Sequence, residues 1–150
     1  FNVEWDVLNE KIRSIQRETA PALKALGAMA VDMGRPVGCG PSGKFLVLLP
    51  TTQQFTALAA CGPSPGDDQY LPEVVKWFRE LHDELPFKLW GAGRDFVDIE
   101  FEAAVSLERS RDLAEQINEF CPDAVDQGAG TKANLARQIH ETGRGYFWWD

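Results

Sequence analysis

The chain has 150 residues, 44% of them hydrophobic, with five Trp and nine Phe. That is enough to build the core of one domain. Twenty-three Asp and Glu against fifteen Lys and Arg leave a formal charge of -8, and the basic residues are scattered, which excludes a general nucleic-acid binder. Three cysteines at wide intervals (Cys39, Cys61, Cys121) and two histidines (His82, His140) form no metal-ligand spacing, which argues against a structural zinc and for reduced thiols in the cytoplasm.

The first third reads as a pair of helices. Trp5, Leu8, Ile12 and Ile15 recur at helical spacing, with Glu4, Asn9, Lys11 and Arg13 elsewhere on the wheel; this predicts an amphipathic helix that lies on something. Thr19 and Pro21 read as a break and a restart, and Leu23, Leu26, Ala30 and Met33 carry a second apolar face to Gly34 and Pro36. In GCGPSGK, Gly38, Gly43 and Lys44 have the spacing of a phosphate-binding P-loop. That motif needs a strand before it, a helix after it and a hydroxyl after the lysine. Here a predicted helix precedes it, a predicted strand follows it, and Phe45 stands after Lys44, so the reading is rejected.

Phe45–Leu49 is a continuous apolar run ending at Pro50. It predicts a strand covered on both faces near the middle of a sheet; it is also far too short to span a bilayer. Thr51 and Gln54 match a capping box for a helix ending near Gly62. GPSPGDD (62–68) reads as an exposed loop, and Val74, Phe78, Leu81 and Leu85 give a strongly amphipathic helix closed by Pro86. Two strands flank GAGRD as a hairpin. In the second, Val97, Ile99 and Phe101 share one face and Asp98, Glu100 and Glu102 the other, the latter read as a solvated face that raises solubility. Ser106 opens a helix with Leu113, Ile117 and Phe120 inward, DQGAGT is a glycine-rich loop capped into a last helix by Thr131, and YFWW closes as an aromatic strand. The sum is one domain, residues 1–150, of α/β or α+β class: a mixed central sheet with helices packed on it over 44–150 and a helical extension over 1–36.

Two functional readings follow. Chemistry-bearing residue types are sparse while apolar and aromatic ones are plentiful, which favours a non-catalytic binding or protein-interaction domain. The alternative is an enzyme or sensor for a small anionic, phosphate- or nucleotide-like ligand. In that reading the amides of Gly128 and Gly130 and the helix start at Thr131 face the anion, Lys132 adds charge, Asp126 and Gln127 orient it, and Trp90 or Trp149 forms a wall, with Asp150 beside the latter as a further candidate. Neither reading calls for a cofactor, nucleic acid or a membrane.

At FCPD, DQGAGT and the terminal FWWD the chain resembles a bacterial family catalogued as a domain of unknown function, number 4253. The likeness runs from the Phe45 strand onward. It implies a small bacterial cytoplasmic protein without an assigned activity, and it carries over no catalytic residue.

Overall fold

A computed structural model describes residues 3–34, 45–63 and 71–149. The glycine-rich stretch at 38–44, Cys39 and Asp150 lie outside these residues. The chain opens with one helix, α1 (Val3–Ala25), and not with the expected pair. Pro21 sits inside it without ending it: the carbonyl it leaves without a partner belongs to Arg17, on an exposed stretch where water replaces the lost bond. The stop comes instead at Gly27, whose φ of 70 is in the left-handed region and whose turn is tied by Ala28 N–H donating to Leu23 O at 2.9 Å. Ala30 and Met33, read as part of a second helix, follow that stop: Met29–Asp32 is strand β1, and Met33 continues its pairing through a bond from its N–H to Phe45 O.

The remaining elements follow in the expected order: β2 (Leu46–Leu49), α2 (Gln54–Cys61), α3 (Leu71–Glu84), β3 (Phe87–Ala92), β4 (Phe96–Phe101), α4 (Leu107–Phe120), a π-helical turn (Ala124–Ala129), α5 (Lys132–Thr142) and β5 (Arg144–Trp148). The five strands form one mixed sheet in the order β2-β1-β3-β4-β5, antiparallel except for the β1–β3 pair. β2 is therefore an edge strand and not a central one, and Leu48 is 63% exposed. An unbroken apolar run does not distinguish the two positions, and β1 takes the inner place that the run seemed to claim. The capping box at Thr51 is also absent. Gln54 turns its side chain to the sheet, where Oε1 accepts from Leu89 N–H at 3.1 Å.

One face of the sheet carries the core. Val31, Phe87, Leu89, Val97, Ile99, Phe101 and Phe147 pack with α2, α3, α4 and α5 through residues such as Leu58, Phe78, Leu113 and Ile139. Alternation then sends Lys88, Phe96, Asp98 and Glu100 to the opposite face, and α1 lies there. Among the described residues α1 contributes no side chain to the main apolar cluster. Phe96 seats on this second face under glycines: a Cβ at Gly34 or Gly93 would stand 2.6 or 2.5 Å from its ring. Among the described residues no helix is long and apolar enough to cross a membrane.

Candidate functional site

The expected ligand loop is a closed structure. Asp126, Gln127 and Gly128 lie in the π-helical turn, and Gly130, at φ 77, ends it with its N–H donating to Val125 O at 2.7 Å. Thr131 caps α5 as expected, its hydroxyl accepting from Asn134 N–H. Gln127 donates to Asp123 Oδ1 at 3.0 Å, and Lys132 pairs with Glu115 at 2.5 Å. The loop residues are thus neighbours, but the two tryptophans do not join them around a common space. Trp149 is buried, edge-to-face with Phe120 at 5.7 Å. Trp90 is on β3 beside α1, with the Arg17 guanidinium 5.3 Å from its ring centre. Next to Lys132 runs a groove of about 460 Å³ between α4 and α5, lined by Leu107, Arg111, Glu115, Lys132, Ala133 and Arg137. Arg111 and Arg137 are lining residues that the sequence alone did not single out; they reach the groove only because α4 and α5 pack side by side.

The second constellation lies between α1 and the sheet. Of the carboxylates expected to be solvated, Glu102 is exposed, whereas Asp98 is covered and Glu100 partly covered there. Arg13 Nη2 donates to both Asp98 oxygens, at 2.7 and 2.6 Å, and the two side chains are only 9% and 14% exposed. Gln16, 4% exposed, donates from Nε2 to Ala30 O at 3.0 Å and Trp90 O at 2.8 Å, so one amide ties α1 to β1 and β3 together. Around them, Arg17 pairs with Glu10 at 2.8 Å and Arg144 of β5 reaches the other Glu10 oxygen at 3.0 Å. The Arg17 bond and then the Arg144 bond hold the Glu10 carboxyl below its ordinary range. Desolvation, followed by the charges of Asp98, Asp95 and Asp32, keeps the Tyr146 hydroxyl above its own. The face is negative, and arginines of α1 answer it.

The fit is incomplete. Of six buried side-chain atoms without a hydrogen-bond partner among the described residues, four belong to this junction: Asn9 Oδ1, Gln16 Oε1, Trp90 Nε1 and Glu100 Oε2. Arg17 approaches that Glu100 oxygen to 3.5 Å, an ionic distance without hydrogen-bond geometry. A buried polar atom left without any partner costs about 1–3 kcal/mol of unreturned desolvation; Glu100 is partly compensated by Arg17.

The remaining reactive side chains are occupied structurally. His82 Nδ1 accepts from Phe87 N–H at 3.1 Å, with its ring edge-on to Phe55 and Phe87. His140 Nδ1 lies 2.8 Å from Val105 O and so carries the proton that it donates. Burial pushes the thiols of Cys61 and Cys121 up to about 11, which keeps them protonated and poor nucleophiles. Among the described residues no three His, Cys, Asp or Glu side chains form a group able to hold a metal ion.

A family model described as "Domain of unknown function (DUF4253)" matches residues 45–150. No curated protein and no solved structure matches the chain. The matched region contains β2 to β5 and all the core helices, and α1 and β1 precede it.

Proposed function

The chain belongs to the DUF4253 family, and from that premise we propose that it is a non-catalytic protein-interaction domain whose recognition surface is the outer face of β3, β4 and β5. The observation that carries the reading is the Arg13–Asp98 pair: a charged helix is seated on a carboxylate and aromatic face that the core does not use. A face lined by Asp98, Glu100, Trp90 and Tyr146 offers charge complementarity and aromatic anchors together, which is how interfaces gain specificity. The structural employment of both histidines and both described thiols supports the same reading, and free buried thiols support a reducing, cytoplasmic setting for a bacterial protein.

The test is affinity capture with the full chain from the cells that make it. Wild type is compared with Asp98→Arg and Glu100→Arg variants shown by circular dichroism to be folded. A partner retained by wild type and lost from both variants supports the surface; capture indifferent to both changes refutes it.

A second reading is favoured by one observation, the basic α4–α5 groove. Arg111, Lys132 and Arg137 stand against the single acid Glu115 in a chain of charge -8, and the start of α5 adds the positive end of its dipole. A small anion held there would raise the melting temperature by mass action. A thermal-shift series with inorganic phosphate, pyrophosphate and a nucleotide decides it: a rise that Arg111→Ala with Arg137→Ala removes supports the site, and no rise with any of the three ends the reading.

A further inference from the structure

We propose that α1 is a built-in occupant of this docking face, standing in for a basic amphipathic helix of a partner protein, and that the partner binds by displacing it. The inference rests on the reading of the outer sheet face as the recognition surface and names both what it takes and what regulates it.

Three observations converge on it. The first is the kind of contact that α1 makes. A helix fixed permanently on a sheet buries an apolar stripe, whereas α1 buries Arg13 and Gln16 beside Ile12 and leaves Ile15 41% exposed. Such a junction is governed by charge and hydrogen bonds, which water and a competing helix can replace. The second is the group of atoms without a hydrogen bond at this one junction: Asn9 Oδ1, Gln16 Oε1, Trp90 Nε1 and Glu100 Oε2, the last within ionic distance of Arg17. Gln16 is buried and aimed into the interface with its oxygen unused, and a helix that satisfies Trp90 and Glu100 outcompetes one that does not. The third is position along the chain. α1 precedes the family-matched residues 45–150, while Asp98, Glu100, Trp90 and Tyr146 all fall within them.

Charge complementarity fixes the occupant. The carboxylates call for a long cationic side chain at the place of Arg13, where a single nitrogen, Nη2, donates to both Asp98 oxygens. A second arginine one turn on, at the place of Arg17, meets Glu100 and lies over Trp90. An amide donor between them, at the place of Gln16, reaches the backbone of β3. The partner segment is therefore a helix with arginines at i and i+4 and a glutamine or asparagine at i+3, as in α1, that also brings what α1 lacks: an acceptor for Trp90 Nε1 and a donor within hydrogen-bond distance of Glu100 Oε2.

The experiment uses the full chain and, as probe, a fluorescein-labelled peptide spanning residues 3–25. Bound in cis, α1 competes at high effective concentration and lowers the apparent affinity by the fraction of chains that are open. The Arg13→Glu chain sets a carboxylate against Asp98 and releases α1, so it is expected to bind the peptide at least about 10-fold more tightly than wild type does. Adding Asp98→Asn to that chain, or Arg13→Glu to the peptide, is expected to abolish binding. Hydrogen exchange that is fast in α1 and slow in β3–β5 establishes that the variant is folded and open; should it fail to fold, Arg13→Met replaces it. An open, folded chain that does not bind the peptide overturns the inference, as does equal binding by wild type and the open chain. A natural partner captured through Asp98 that leaves α1 protected in the complex sinks the displacement alone and spares the surface.

Discussion

Replacing Arg13 by Met tests how α1 is held. The substitution keeps much of the aliphatic stem and leaves Asp98 facing a methyl group. Removing one member of a buried ion pair costs about 3–5 kcal/mol. The residual side-chain exposure here, 9% and 14%, points to the lower end, about 3 kcal/mol. Among the described residues no α1 side chain belongs to the main core cluster, so the loss falls on α1 and not on the whole fold. At about 1.4 kcal/mol per decade, the protection of α1 amides against hydrogen exchange falls roughly 100-fold. Amides of β3 and β4 keep theirs. The control is a double-mutant cycle with Asp98→Leu. Each single change breaks the pair and leaves one of its charges buried, while Arg13→Met with Asp98→Leu replaces the pair by apolar groups and recovers most of the loss. Single effects that simply add in the double variant refute the pairing argument, and so does a global drop in stability without faster exchange in α1.

Other parts of the fold give sharper contrasts. Gly93→Ala drives a Cβ to 2.5 Å from Phe96 and is expected to cost about 2–3 kcal/mol through overpacking; Gly130→Ala, at φ 77 with nothing within 4 Å, costs only about 1 kcal/mol of backbone strain, and comparable urea midpoints for the two variants contradict this. Thr131→Ala removes the α5 cap and lowers stability by about 1 kcal/mol in the same assay. Cys61 and Cys121, with thiols pushed up to about 11 from 9.0, resist iodoacetamide at pH 8 until the chain unfolds, as site-resolved mass spectrometry can establish. Both folded thiols hold their protons more tightly than unfolded ones do, so this contribution is intact below about pH 9 and is lost as the pH rises toward 11; a stability that increases over that interval contradicts the sign. Glu10 works in the opposite direction. Its carboxyl is depressed by Arg17 and Arg144, so its part in holding α1 is present above the ordinary carboxylate range and fades as the pH falls through the depressed value. Protection of α1 amides, taken relative to intrinsic exchange at each pH, therefore falls in acid before protection in β4 does.

Where burial is apolar, the sequence was readable. Val97, Ile99 and Phe101 alternate as a half-buried strand must, and Val74, Phe78 and Leu81 mark the face that α3 buries. Ser106 and Thr131 announce helix starts because a side-chain oxygen there accepts a backbone N–H that would otherwise lack a partner. β1 escaped notice for a different reason: four residues are too few to show a period, and Gly27, the actual stop of α1, sits inside a pattern that Ala30 and Met33 seem to continue. The edge position of β2 was equally hidden, since strand order depends on partners remote in the chain.

The candidate face was hidden by the same physics that makes it a candidate. Hydropathy assigns a charged residue to solvent because leaving water costs it several kcal/mol, roughly, unless a partner compensates. Arg13 is compensated by Asp98, 85 residues away, and no local period carries that information. Reading α1 by its apolar residues therefore turned Ile15 inward and Arg13 outward, whereas the structure exposes the first and buries the second. It made a solubility stripe of Asp98 and Glu100 for the same reason. The misreading is directional: it arises wherever a surface is matched by charge instead of by exclusion of water. Such a surface can exchange one matched occupant for another without exposing a hydrophobic core, because both its bound and its open forms satisfy their charges, one with arginine and the other with water. The proposed recognition surface is accordingly the face of the sheet that lies away from the main apolar cluster.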